Sequence, residues 1–413
     1  MIIKRDYYLQ QLISSKSNNL IKIVTGIRRS GKSFLLFNLF HNHLIETGIS
    51  EDHIIEIALD DRLNKNLRDP DVILQHIHER IVDDKLYYII LDEVQMIDGF
   101  TDVLNSLLHI RNADVYVTGS NSRFLSKDVV TEFRGRGDEI HLFPLSFAEL
   151  YNSVGGDKFE LWKSYYTYGG LPGILELDSD KKKAAYLRSL HETVYLKDII
   201  ERNNLKNSEE FMELMRVMAS CIGSPCNPSK LENTFKSVKN ETLDRKTISK
   251  YLSYMEDAFL IEKSMRYDIK GRKYIGTLSK YYFQDIGLRN ALLNFRQVEE
   301  NHIMENVIYN ELRLRGFCVD VGMVEARTAK ERKQLEVDFV ANMADRRYYI
   351  QSAFAMPDDE KREQECASLK RIDDSFKKII IMRDDIKPYH DNNGFYIVGL
   401  MDFLLKPDLM EQL

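Results

Sequence analysis

The residues best suited to chemistry lie close to the N-terminus. Gly26-Ile27-Arg28-Arg29-Ser30-Gly31-Lys32-Ser33 fits the pattern G-x-x-x-x-G-K-S/T in full. Its glycines let the main chain wrap closely around phosphate oxygens. Lys32 is expected to reach the β- and γ-phosphates of a nucleoside triphosphate, and the Ser33 hydroxyl to ligate Mg²⁺. Ile27, Arg28, Arg29, Ser30 and Phe34 complete the expected cradle. The ligands implied are ATP and Mg²⁺.

Further on, an apolar run ends in Asp92-Glu93. Asp92 is expected to hold the Mg²⁺, and Glu93 to polarise an attacking water as general base. The competing reading is two acids that cap a strand. In Gly119-Ser120-Asn121-Ser122, small polar groups suit a γ-phosphate sensor, with Asn121 as the candidate, but they also suit a plain turn. In Phe133-Arg134-Gly135-Arg136-Gly137, Arg136 is the candidate to stabilise phosphoryl charge and Arg134 the alternative. Both also read as surface arginines. An arginine acting in trans implies a homo-oligomer; one acting in cis does not.

These groups need elements to hold them. Leu20–Thr25 is short, apolar and β-branched, so it reads as a buried strand leading into the glycine loop. Phe34–Phe40 opens a helix whose first turn offers unpaired N–H groups and a positive dipole end to an anion. Leu86–Leu91 and Val115–Thr118 read as two further strands. Strand, loop and helix in that order is the context a phosphate loop requires.

The chain has 413 residues, enough for several domains. It is 44% hydrophobic and 30% charged, an ordinary globular balance. A net charge of −6 argues against a uniformly basic nucleic-acid binder but leaves room for a local patch. No apolar run approaches the roughly 20 residues of a membrane helix. Met1–Asp6 lacks the apolar stretch of a secretory signal, and the four cysteines include no Cys-x-x-Cys pair. The expectation is a cytoplasmic protein with free thiols and no membrane partner.

Several segments together resemble the bacterial and archaeal AAA-superfamily ATPases that carry a C-terminal module. They are the glycine loop, Leu91-Asp92-Glu93-Val94-Gln95, Thr118-Gly119-Ser120-Asn121-Ser122, Arg134-Gly135-Arg136, Pro144-Leu145-Ser146-Phe147 and Tyr168-Gly169-Gly170-Leu171-Pro172. The resemblance implies an α/β fold. It would have a P-loop core with a parallel sheet in the order 5-1-4-3-2, a helical lid, a winged helix and a C-terminal domain like the PD-(D/E)XK nucleases. It also implies ATP hydrolysis. The expected divisions are residues 1–155 for the core, 156–206 for the lid, 207–285 for the winged helix and 286–413 for the nuclease-like domain.

Residues 208–285 read as three helices and two strands, with Leu243–Ile248 starting the third helix. In a winged helix that third helix enters a DNA major groove. Residues 228–280 carry twelve Lys/Arg against seven Asp/Glu, +5 in a chain of −6. Twelve phosphate-seeking side chains suit DNA. A solvated face on a module that contacts only protein suits them as well.

The C-terminal module departs from the nuclease pattern. Glu305 matches its helix glutamate and Asp338 its first strand acid. Gln351 stands where the second acid belongs, and Ala353 where the lysine belongs. Alanine can neither hold a phosphate nor relay a proton, so hydrolysis of DNA is expected to be weak or absent, although Glu305, Asp338 and Gln351 could still hold a metal. Lys361 and Lys370 are the candidates for a displaced lysine. The leading expectation is an ATP hydrolase whose nucleotide state repositions its C-terminal modules on a target such as DNA. An ATP-gated binding switch with little turnover and an ATP-regulated metal-dependent nuclease compete with it.

Overall fold

The computed structural model describes residues 2–119, 135–239, 243–327 and 332–412. The chain divides into two compact units. One comprises Met1–Pro144 and Asp257–Phe259, the other Leu145–Glu256 and Leu260–Leu413.

The first unit is built on β1 (Ile21–Thr25), β2 (Ile54–Ala58), β3 (Tyr87–Asp92), β4 (Ala113–Gly119) and β5 (Gly137–His141). All pairings are parallel, in the order β2-β3-β4-β1-β5, which read from the other edge is the expected 5-1-4-3-2. Every residue of β1 and β3 is buried. Parallel strands covered on both faces read as continuous apolar runs, which is why these two stood out in the sequence. One face packs Ile23, Ile57, Leu91 and Val117 together; the other packs Val24, Leu36, Phe40 and Tyr116. Register sets Thr25 beside Gly119 and His141, and Ala58 beside Asp92, so the strand ends form one edge. A helical stretch follows the glycine loop as Lys32–Phe34, a π-helical segment Leu35–Phe40, and His41–Glu46.

The second unit begins with helices Phe147–Val154 and Lys158–Tyr168. Ser146 and Glu149 close a reciprocal capping box on the first of these. Helices Asp180–Leu190, Lys197–Asn203, Ser208–Ser220, Pro228–Thr234 and Arg245–Asp257 come next. An eight-stranded sheet follows, made of β6 (Ile261–Asp268), β7 (Lys273–Phe283), β8 (Cys318–Arg327), β9 (Arg332–Met343), β10 (Arg346–Ala353), β11 (Lys377–Met382), β12 (Tyr389–His390) and β13 (Tyr396–Gly399). Its order is β12-β13-β11-β10-β9-β8-β6-β7. The β6–β7 hairpin, expected as a wing, joins this sheet through parallel pairing of Arg266–Asp268 with Val321–Met323. Helix Glu300–Leu314 buries Ile303, Met304, Val307 and Ile308 in the same apolar cluster as Phe339 and Ile350.

Gly169-Gly170, which ends helix Lys158–Tyr168, has a specific partner. Asp285 caps helix Ile286–Leu292 through Leu288 N (2.9 Å) and also accepts from Gly170 N (2.8 Å). Gly169 has φ +77°, and a Cβ there would lie 2.5 Å from the Asp285 carboxylate. Burial pushes the Asp285 carboxyl up to about 6 despite these backbone donors. Among the described residues, no helix is long and apolar enough to cross a membrane.

Candidate functional site

The glycine loop leaves β1 and turns at once. Gly26 has φ +136°, and a Cβ there would sit 2.2 Å from the Leu142 carbonyl oxygen, so only glycine fits. Gly31, at φ +100°, directs the chain into the helix that starts at Lys32. The loop is held from outside by buried Arg5, which donates to the carbonyls of Ser30 (3.2 Å) and Phe143 (2.8 Å). Arg5 went unread in the sequence. Its only signal was its neighbourhood in the N-terminal segment, ahead of the strand.

Lys32 is 5% exposed, and its ammonium donates to the carbonyls of Gly26 (3.0 Å) and Ile27 (3.2 Å). Burial lowers its pKa, while the charges of Glu93 and Asp92 partly offset this. Held by neutral carbonyls, the ammonium is open to competition from an anionic phosphate. The Ser33 hydroxyl donates to Asp92 Oδ2 at 2.7 Å. This hydroxyl–carboxylate pair, brought together from the helix and the end of β3, is the ligand set a hard cation takes. Burial raises the Asp92 carboxyl above its ordinary range, with hydrogen bonds from Thr118 and Ser33 opposing. A bound cation would favour its charged form.

Thr118, at the end of β4, donates to Asp92 Oδ1 and accepts from Glu93 N at 2.9 Å. It thereby orients both acids, a role the sequence did not reveal although the strand was recognised. Glu93 is half-buried in the left-handed region (φ +52°), and the Gln95 amide donates to its carboxylate. A non-glycine residue at such a φ is costly and concentrates at functional sites. Ile27 and Ser30 are buried, Arg28 is half-buried, and Arg29 and Phe34 are exposed. Arg136 is exposed, with Nη1 3.5 Å from Asn105 Oδ1. Asn121 and the alternative Arg134 lie outside the described residues.

A second cluster lies in the second unit, around a lysine that sequence reasoning missed. Lys280 of β7 has a side chain 3% exposed. Its ammonium is 2.8 Å from Glu305 Oε1, 2.7 Å from Glu336 Oε1 and 3.8 Å from Asp338 Oδ1. Tyr282 donates to Glu305 at 2.8 Å, and Ser352 N donates to Asp338 Oδ2 at 2.8 Å. Burial alone would lower the pKa of Lys280, but the charges of Glu305, Asp338 and Glu336 outweigh it and hold the pKa above the usual lysine range. Burial, then the charge of Glu305, pushes the Asp338 carboxyl up.

A cavity of about 610 Å³ opens beside this cluster, lined by His302, Glu305, Asp338, Gln351 and Lys361 among others. The structure therefore brings Glu305, Asp338 and Gln351 to one place. Lys361 reaches the cavity wall but pairs with Glu365 at 2.8 Å, and Lys370 pairs with Glu363 at 2.7 Å. Ala353 is fully buried in an apolar cluster with Tyr349, Leu369 and Ile380. A lysine there would enter apolar packing. Among the described residues, no group of three or more His, Cys, Asp or Glu is arranged to hold a metal ion.

The count of twelve phosphate-seeking cations in residues 228–280 needs correction. Lys280 is buried in the acidic cluster. Lys236 and Arg245 both pair with Glu232, at 3.0 and 2.6 Å, and Lys270 pairs with Asp373 at 3.3 Å. Helix Arg245–Asp257 nonetheless exposes Arg245, Lys246, Ser249, Lys250 and Ser253 along one face.

Comparison with known proteins agrees with the geometry of the first unit. A family model described as an AAA domain matches residues 18–151, and one for a domain of unknown function matches residues 159–299. A Haemophilus influenzae protein, named only as uncharacterized, is 33% identical over 414 residues, covering 98% of this chain and 99% of its own length. A Methanocaldococcus jannaschii protein, likewise uncharacterized, is 28% identical over 391 residues, covering 90% of this chain and 82% of its own. Among solved structures, the Aeropyrum pernix Orc1 protein in complex with DNA overlaps 71% of this chain and 92% of its own at 13% identity, with a TM-score of 0.30.

Proposed function

Given that this chain belongs to one family with the Haemophilus influenzae protein and carries an AAA domain over residues 18–151, we propose that it binds ATP with Mg²⁺ and hydrolyses it. The observation that carries this reading is the Ser33–Asp92 contact of 2.7 Å beside a lysine whose ammonium donates to two loop carbonyls. The main-chain N–H groups of the loop and of the first helical turn receive the phosphates. Lys32 neutralises the β- and γ-phosphates. Ser33 and Asp92 would hold Mg²⁺, which when bound neutralises charge developing on the phosphate oxygens. Glu93 accepts a proton from the attacking water, and Thr118 keeps Glu93 and Asp92 in place. Arg136 and Asn121 complete the assignment, as transition-state charge and γ-phosphate sensor.

Nucleotide state repositions the C-terminal modules on a target, and DNA is the target we favour. Two features support a winged helix at residues 207–285. The elements run helix, helix, helix, hairpin, and an antiparallel bridge joins Cys226 to Ser279 between the first two helices and β7. The basic face of helix Arg245–Asp257 supports contact with a phosphate backbone. Residues 1–155, 156–206 and 286–413 serve as core, lid and nuclease-like domain. Gln351 and Ala353 leave that last domain without hydrolytic chemistry.

Multiple-turnover phosphate release, with and without duplex DNA, tests the proposal. The expected result is Mg²⁺-dependent turnover stimulated by DNA in a salt-sensitive manner. ATP binding with no turnover under either condition would make the protein a nucleotide-gated switch instead.

A further inference from the structure

The acids of the second unit raise a question that the nuclease-like reading leaves open: what cation do they hold? Alternation along the strands assembles the cluster. Glu336 and Asp338, two residues apart on β9, both face Lys280. Lys280 and Tyr282, two apart on β7, both reach Glu305 Oε1 at 2.8 Å. An ammonium has three protons to donate, and here three carboxylates surround it.

We propose that Lys280 is the resident cation of this site, standing where a divalent metal would sit between Glu305 and Asp338, so that the adjoining cavity works without a metal. The inference rests on the nuclease-like reading only for which cation has been replaced. Three observations carry it. The ammonium is almost wholly buried, and its carboxylate partners offset its desolvation. Its short contacts fall on Glu305 itself and on Glu336, leaving Asp338 in ion-pair range, so the two acids among the expected metal ligands already answer to one positive charge. A divalent ion entering there would face that fixed charge at close range. The cavity offers His302, Asn301, Gln351 and Ser352 to a ligand, groups that bind by hydrogen bonds and need no metal.

The test is Mn²⁺ binding to the full chain without nucleotide, followed by electron paramagnetic resonance. The parent, Asp338→Asn, Lys280→Met and the double variant are compared, with circular dichroism as the check on folding. The parent and Asp338→Asn should bind Mn²⁺ alike, because Asp338 holds no metal. Lys280→Met should gain one further Mn²⁺, at least tenfold tighter than any binding in the parent, and the double variant should lose it. Parent binding that disappears with Asp338→Asn overturns the proposal, as does a folded Lys280→Met that gains nothing. If Lys280→Met does not fold, the comparison of parent with Asp338→Asn decides alone. Mn²⁺-dependent plasmid cleavage by the parent would sink the non-hydrolytic reading of the domain separately.

Discussion

Lys32 and Lys280 are both buried near carboxylates, and they do opposite things. Lys32 is held by two neutral carbonyls of its own loop, with the charges of Glu93 and Asp92 acting on it. Lys280 is ion-paired to Glu305 and Glu336, with Asp338 close by. At the first site the carboxylate of Asp92 is bonded to hydroxyls, from Ser33 and Thr118, which a cation can exchange or share. At the second, the positive charge is supplied by the chain. The residue type decides little in either place. What the ammonium already touches decides whether a site is open to an anionic ligand and its metal or is closed by its own ion pairs.

The largest effect should come from Lys32→Ala. Removing a charge that acts on the transition state is expected to cut ATP turnover about a thousandfold. Lys280→Met, measured in the same phosphate-release assay, should stay within about threefold of the parent on that scale. Equal losses in the two variants would erase the contrast.

Lys280→Met should act on stability. Breaking a buried ion pair from one side costs about 3 kcal/mol, the low end of the usual range, because Asp338 can take up a proton to relieve the uncompensated charge. Thermal denaturation should show the loss, and added Mn²⁺ should restore part of it by binding the folded state. A melting curve unchanged from the parent would mean the lysine contributes nothing to holding the acids together.

Glu93→Gln should leave ATP binding intact and lower turnover about a hundredfold, the usual worth of a positioned base. Single-turnover quench experiments separate the two effects, and intact turnover removes Glu93 from the mechanism. Smallest of all, Thr118→Val should lower turnover about tenfold by releasing Asp92 and Glu93 from their shared hydroxyl. Raised Mg²⁺ should recover part of that loss if the defect lies in metal affinity.

Much of the first site was legible because its chemistry is written contiguously. The eight loop residues, the strand before them and the acids at the end of β3 each form one uninterrupted run. β5 was harder to see. Gly137-Asp138-Glu139-Ile140-His141 is a sheet edge with only Ile140 buried, so no apolar run announces it. Arg5 and Thr118 were hidden because their partners lie far along the chain, Ser30 and Asp92 being 25 and 26 residues away. Lys280 was hidden in the same way, its bond to Glu305 spanning 25 residues. One local signal did exist: Lys280 directly precedes the aromatic run Tyr281-Tyr282-Phe283 at the end of β7. Counted with the basic residues of its segment, it was read as surface charge, whereas a lysine set among buried aromatics calls for an acid to pair with.

Calorimetric titration of the full chain with ATP in the presence of Mg²⁺ tests the central claim most directly. The account predicts a saturable, one-to-one heat for the parent that vanishes in Lys32→Ala and weakens when Mg²⁺ is chelated. A parent that gives no heat at millimolar ATP, or a Lys32→Ala protein that binds as the parent does, would contradict it.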